Sequence, residues 1–334
     1  MAYSPQFTIT TTLLGYVESI ASTRERIAQA AVAVPWMHAI QRDSRSRNAY
    51  ASTAIEGNSL SLEQVRAIEA GGSPLAASNR ERREIENCLA GLRHIERQPA
   101  RDRLRHDDIL ELHRILADGV MEQGVAGRYR TIAVRVGSFV PPPPSDVSGL
   151  MFELLSWWND KAEVVSPVLS SAIIHYRFEA IHPFADGNGR TGRALSLWEL
   201  YRRGFDSHHV FSVDEFFWED RERYYRMLMD VRERGEDLTA WLEYCAEGLL
   251  VTLERVWSRI QAVDRRAAGP PLMLTPRQEQ VLRLLRDHGG MAPAEMWARL
   301  GVSKQAASGI LRPLLDAGVI LRTGTRKTGR YVLP

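Results

Sequence analysis

The stretch His182-Pro183-Phe184-Ala185-Asp186-Gly187-Asn188-Gly189-Arg190-Thr191-Gly192-Arg193 puts an imidazole, a carboxylate, two guanidinium groups and a glycine-rich turn within twelve residues. Gly187-Asn188-Gly189 can take backbone angles that aim successive N–H groups into one concavity, an anion nest. A helix opening at that point adds positive potential. Arg190 and Arg193, three apart, share a helix face and offer permanently charged, forked donors. The ligand suggested is a polyphosphate rather than a lone carboxylate. Asp186, just before the nest, most simply holds Mg²⁺ through one oxygen, the metal's usual mode beside nucleotide phosphates. His182, four residues upstream of it, is of the residue type best suited to a general base near neutral pH. Taken singly, each piece also has a bland reading. Gly-Asn-Gly is often only a turn, an isolated histidine often a structural hydrogen-bonder, and two arginines at this spacing often a solvated face. Phe184 reads as core in either case.

A second stretch raises a question of charge. In Ser52-Thr53-Ala54-Ile55-Glu56-Gly57-Asn58, a helix ending here places the Glu56 carboxylate at the negative end of the helix dipole, which is mildly unfavourable. An acid there makes sense if it has a cationic partner elsewhere in the chain. Ser52 and Glu56, four apart, lie on the same face of that helix.

The elements that must position these groups are nearly all helical. Residues 11–50 read as helix with a break near Pro35. Ser61 and Gln64 form a capping-box pattern for a helix ending at Gly71-Gly72. Helical periodicity follows at about 80–97, 107–118, 146–161, 166–180, 188–203, 214–235 and 237–262. One stretch stands apart. Gly127 to Gly137 alternates β-branched and polar residues, which predicts a hairpin. Pro141-Pro142-Pro143-Pro144 then predicts an exposed extended segment. The fold class expected is mainly α.

The bulk numbers exclude several classes. No apolar run reaches the ~18 residues of a membrane span. Net charge is only +2 over 334 residues, so the whole chain carries no nucleic-acid signal. Cys88 and Cys245 lack metal spacing and read as buried apolar residues. That usage, with no signal-peptide pattern at the N-terminus, suits a reducing cytoplasm.

The 182–193 stretch resembles the signature of Fic-domain proteins, His-x-Phe-x-Asp/Glu-Gly-Asn-Gly-Arg-x-x-Arg, at every fixed position, and Ile174–Ile181 resembles the lead-in helix of that family. The resemblance covers roughly residues 10–262. It implies a protein adenylyltransferase that moves AMP from ATP to a Ser, Thr or Tyr hydroxyl. His182 would deprotonate the hydroxyl and Asp186 would hold Mg²⁺. The Gly187-Asn188-Gly189 amides would bind phosphate oxygens. Arg190 would reach the β-phosphate region and Arg193 the γ-phosphate, with Thr191 and Gly192 in the same nucleotide-binding turn. A flap at Arg135-Val136-Gly137-Ser138-Phe139 would register the target by strand addition. Tyr224 would contact the adenine side while Tyr225 packs in the core. Arg232 stands where related members often carry Asn. Ser52 to Gly57 is similar to the family's inhibitory motif, Ser/Thr-x-x-x-Glu-Gly/Asn. On that resemblance Arg193 is the partner of Glu56, and the plug leaves ATP wrongly set for attack. Removal of AMP from a target, self-modification, a homodimer and a transcriptional regulator with a nucleotide-sensing core are left open.

Beyond Ala267-Ala268-Gly269-Pro270-Pro271, which reads as a linker, pattern and charge change. Thr275-Pro276 opens a helix to about His288, a short helix spans 293–300, and Ser303 caps a third. Two short strands then flank Thr323 to Gly329. This order resembles a winged helix-turn-helix. From residue 270 onward ten Lys/Arg face four Asp/Glu. Lys304, Gln305 and Ser308 would meet base edges, and Arg326 and Lys327 phosphates, if residues 272–334 bind DNA. Winged helices also serve as protein-interaction modules. The domain plan expected is an N-terminal helical region over 1–100 with the inhibitory helix at about 45–57, a Fic core over 101–266, and the winged helix over 267–334.

Overall fold

Local chemistry at the chain's polar punctuation sets the helix starts in a computed structural model that describes residues 3–30, 34–72, 78–98, 103–205, 208–267, 275–288, 290–316, 319–323 and 329–333. The Thr10 hydroxyl accepts the Leu13 N–H and opens α1 (Thr11–Gln29). After α2 (Val34–Ile55), Ser61 and Gln64 form the reciprocal capping box of α3 (Leu62–Glu69). Ser78 and Glu81 do the same for α4 (Asn79–Arg97), satisfying N–H groups that have no partner inside the helix. α5 (His106–Ala117), α6 (Pro144–Asp160) and α7 (Pro167–Ile181) follow. Then come α8 (Asn188–Arg202), α9 (Val213–Glu219), α10 (Arg221–Glu233) and α11 (Thr239–Ala267).

Three expectations are corrected here. The helix read as 214–235 is two helices. Asp220 leaves helical geometry (φ −135°, ψ 70°) and its carboxylate accepts the Arg223 N–H at 3.0 Å, capping a fresh start. Pro144 does not extend the proline segment but occupies the first helical position of α6, where a missing N–H costs nothing. The hairpin predicted from Gly127 to Gly137 has no strands, and only the Val136–Phe139 bridge pairs. The reason lies in Arg130. Its N–H donates to Pro183 O at 2.9 Å. Its guanidinium gathers the carbonyls of Ile132, Pro142 and His182. Arg130 in the middle of the segment is thus committed to the neighbouring loop rather than to a second strand.

The chain forms two compact units, Met1–Trp257 and Ser258–Pro334. In the first, α7 and α8 pack against each other at the centre, with α2, α4, α5 and α6 around them. Both central helices are buried on almost every side, which is why neither presents a polar face in sequence. Glu199 of α8 ties the layers together. Its carboxylate accepts from Trp158 Nε1 on α6 (2.6 Å), Ser170 Oγ on α7 (2.7 Å) and the guanidinium of Arg202 (2.9 Å). Cys88 and Cys245 are free and buried.

The second unit is a winged helix-turn-helix. α12 (Pro276–His288), α13 (Pro293–Leu300) and α14 (Lys304–Asp316) precede an antiparallel pair, β1 (Leu321–Thr323) and β2 (Arg330–Val332). The register matches Arg322 with Tyr331. Val281, Leu285, Met296, Leu311, Leu314 and Tyr331 are among the residues of its core. Most of the linker read at 267–271, with the wing-tip residues Arg326 and Lys327, lies outside the described residues. Among the described residues no helix is long and apolar enough to cross a membrane.

Glu199→Ala strips a fully buried carboxylate from four donor residues, Trp158, Ser170, Arg202 and Arg203. Breaking such a pair from one side costs about 3–5 kcal/mol. Urea denaturation should show a loss of that order, whereas an exposed control such as Glu163→Ala should stay within about 0.5 kcal/mol.

Candidate active site

The loop between α7 and α8 is built from the inside. His182 ends α7 in the left-handed region (φ 51°, ψ 61°), its N–H on Phe178 O and its carbonyl held by Arg130 Nε at 2.8 Å. A guanidinium at a helix C-terminus suits the negative end of the dipole. Phe184 is fully buried and stacks on His113 of α5 with ring centroids 3.5 Å apart. Asn188 closes the loop on itself, accepting the Phe184 N–H and donating to its carbonyl, both at 2.9 Å. Thr191 donates its hydroxyl to Gly187 O at 2.8 Å. Gly187 takes φ 75° and lies against the His113 ring. Asn188 and Thr191 thus shape the turn from beneath with their side chains, at the start of α8, where the first N–H groups of a helix have no intrahelical partner.

Arg193 lies at the centre of a polar cluster. Its side chain is 1% exposed. Nη2 donates to Glu56 Oε1 and to Ser52 O, each at 2.8 Å, and Nε donates to Ser52 Oγ at 3.0 Å. Asp214 of α9 stands 3.7 Å from Nε. Burial works to lower the Arg193 pKa, but Glu56, Tyr224 and Asp214 outweigh it and hold the pKa well above the ordinary arginine value. Burial also raises the pKa of Asp214, an effect that Arg193 and Ser52 only partly offset. A Cβ on Gly189 would stand 2.2 Å from Glu56 Oε1. The carboxylate therefore rests directly on the glycine turn, where an anion would sit. α2 ends at Ile55, and Gly57 takes φ 100° to leave it. Glu56, expected in the last turn of a helix running to about residue 57, thus lies just past the helix end, and its cationic partner is Arg193.

The chain is similar to known proteins. Residues 103–200 match the Fic/DOC family and residues 274–326 the MarR family. A solved Fic family protein from Desulfovibrio desulfuricans G20 is similar over 99% of this chain and 98% of its own, at 29% identity and a TM-score of 0.73. A solved variant of a Fic-1 fragment from C. elegans is 31% identical over 73% of this chain and 72% of its own, with a TM-score of 0.61. The chain belongs to the Fic/DOC family. Protein adenylyltransferase fic-1 from Caenorhabditis elegans is 34% identical over 238 residues, 70% of this chain and 45% of that protein. Protein adenylyltransferase Fic from Aedes aegypti is 35% identical over 60% of this chain and 43% of its own. The chain spans less than half the length of these curated relatives.

Around the Fic loop the other expected residues fall unevenly. Asp186 Oδ1 accepts the Gly187 N–H at 2.6 Å, and its carbonyl accepts from His113 Nε2 at 2.9 Å. Asp186 and Ala185 line a cleft of about 480 Å³ with Ala133, Val134, Arg135, Arg80, Glu122 and Gln123. Among the described residues no cluster of three or more metal-ligating side chains occurs. One carboxylate beside a phosphate site fits Mg²⁺, which takes its other ligands from nucleotide and water. Arg190 is buried beneath the loop, with Nη1 3.4 Å from Leu116 O and Nε unpartnered. It does not share the Glu56 cluster. The segment 135–139 reduces to one turn, with Val136 and Phe139 exchanging backbone bonds across Gly137 and Ser138. Arg232 stacks its guanidinium 3.5 Å over the Phe139 ring, a contact worth about 0.5–2 kcal/mol.

Of the tyrosine pair, Tyr224 rather than Tyr225 packs in the core. Tyr224 is 1% exposed, bonded to His175 at 3.0 Å and stacked on Phe217. Tyr225 keeps exposed surface and reaches Ile55 O at 3.5 Å. The helical phase of α10 aims Leu228, Val231 and Tyr224 inward together. In the second unit Lys304, Gln305 and Ser308 are exposed along α14. Sequence reading missed His113, Arg130, Glu179 and Asp214. Only His113 left a usable signal, a polar residue in the inward stripe of Ile109, Leu112 and Leu116.

Burial pushes the pKa of His113 and of His175 down to about 4, against about 6.5 when unfolded. In that window the unfolded chain binds more protons, so stability rises with pH. The contribution of both histidines is complete above about pH 6.5 and disappears as pH falls toward 4. Urea unfolding at pH 7, 6 and 5 should show progressive loss. A flat profile over that range would contradict the buried, neutral state of both rings.

Proposed function

We infer that this protein transfers AMP from ATP to a side-chain hydroxyl of a protein, and that Glu56 restrains the reaction. The carrying observation is the Glu56 carboxylate on Arg193, lying over Gly189. An acid in that place marks the turn as an anion site, and the anion it mimics is a nucleotide phosphate. Family membership and the adenylyltransferase names of the curated relatives support the same chemistry.

In this reading the turn amides and Arg193 bind the triphosphate, and His182 stands at the loop's edge as general base. The target hydroxyl oxygen attacks the α-phosphorus and His182 takes its proton. The bond from the α-phosphorus to the bridging oxygen breaks, and pyrophosphate leaves. The product is a phosphodiester between AMP and the side chain. The amides stabilise charge that develops on the phosphoryl oxygens. Asp186 would hold Mg²⁺, which supplies charge neutralisation on the phosphates. The 135–139 turn, with its edge groups exposed, would align the target strand. Glu56 blocks the arrangement by occupying the Arg193 guanidinium that the γ-phosphate needs.

Glu56→Gly incubated with ATP and Mg²⁺ should gain AMP on itself, read by intact mass, at least tenfold faster than the wild type. Adding His182→Ala to it should abolish the gain while calorimetry still detects ATP binding. Equal rates in wild type and Glu56→Gly would remove the restraint, and activity without His182 would remove the base.

For the second unit, the MarR match and the excess of basic residues support duplex DNA as partner through α14. Lys304→Ala should then weaken a salt-sensitive mobility shift and relax its sequence preference. Absence of any salt-sensitive shift with the full chain would leave a protein-docking role.

A further inference from the structure

Two buried glutamates on the central helices are treated very differently. Glu199 has donors on every side. Glu179, in the last turn of α7, has almost none. Its Oε1 is buried without a hydrogen-bond partner, and its Oε2 faces Nδ1 of His182 at 3.6 Å. A buried carboxylate that holds no part of the core together is costly to keep. Its Oε2 approaches the imidazole at the reacting edge of the loop.

We propose that Glu179 is the positioning residue that sets His182 for proton transfer, and that Gly192 exists to admit it. The proposal rests on the reading of His182 as general base. Three residues apart at the end of a helix, the two side chains meet on one face. The left-handed backbone of His182 turns its ring back over that last turn. With Nδ1–H directed at the carboxylate, the neutral ring carries its lone pair on Nε2. The target proton arrives on Nε2, the Nδ1 proton stays in place, and the imidazolium formed faces an anion. The 3.6 Å separation is longer than a normal hydrogen bond. Such contacts tighten when the reacting complex forms.

The surroundings agree. Glu179 is also faced by His175 of its own helix, by Arg193 of α8 and by Tyr224 of α10. Burial raises its pKa, but His182 first, then His175 and Arg193, bring it below the ordinary carboxylate value. It therefore stays ionised. On the far side a Cβ at Gly192 would stand 2.6 Å from Glu179 Oε1 and 3.1 Å from Phe178 Cδ1. Any larger residue there pushes the carboxylate off His182. Gly192 then serves the base rather than the nucleotide.

The test uses the full chain with ¹⁵N-labelled histidine, and His182→Ala assigns the resonance. In the wild type the neutral His182 ring should carry its proton on Nδ1. Glu179→Gln should scramble the tautomer, and Gly192→Ala should do the same from the opposite side. Glu179→Asp should restore the Nδ1–H form in part. In the Glu56→Gly background, Glu179→Gln should lower kcat for AMP transfer about 10²-fold and leave the KM for ATP unchanged. An unaltered tautomer in both Glu179→Gln and Gly192→Ala overturns the proposal, whatever the rates. Absence of transfer by Glu56→Gly itself overturns the adenylyltransferase reading and leaves the ring measurement standing.

Discussion

A guanidinium taken out of water must be answered by oxygen atoms on several sides, and the first unit is arranged around that need at Arg193. Ser52, Glu56 and Asp214 answer it from two elements far apart in sequence, α2 and the start of α9. The cost of burying the charge is several kcal/mol unless its partners are well placed. α2 therefore has to lie across α8. The N-terminal helices are not an addition to a finished core, because they complete the shell around one of its charges.

The same constraint explains why the 182–193 motif is long. More than half of its residues are buried in the fold. Phe184, Asn188, Thr191 and Arg190 point inward and fix the turn through Phe184 backbone bonds, the Gly187 carbonyl and Leu116 O. His182, Asp186 and Gly189 are left on the open side. Inner residues hold the backbone angles, and the outer ones act only if those angles are held. His113 and Arg130 extend the inner set by clamping Asp186 O and the end of α7.

Much of this was legible in sequence because helices, caps and the loop are local. Ser61 with Gln64, the break near Pro35, the three helices and wing of the second unit, and the turn before α8 all follow from residues within a few positions of one another. Glu56 was legible as a misplaced charge, and Arg193 as its partner only through family resemblance. What failed was non-local. The alternation from Gly127 to Gly137 is a sound strand signal, but Arg130 commits that backbone to Pro183 and the α7 terminus. Adjacent tyrosines in α10 carry no local mark saying which faces the core. Phe217, His175 and Trp241, each from another helix, decide it. Asp214 and Glu179 look in sequence like ordinary helical acids, and only packing makes them unusual.

The way α2 ends limits how the Glu56 contact can open. Ala51, Ser52, Thr53, Ala54 and Ile55 are all buried in the core, while the Glu56 side chain is 39% exposed. Gly57 leaves the helix at φ 100°. Swinging α2 away as a rod, or unwinding its final turn, would bring Ala54 and Ile55 out of the core. Rotating the Glu56 side chain about its own bonds disturbs neither. The contact therefore opens at a side chain rather than at a helix, on the fast timescale of rotamer exchange at a partly exposed residue.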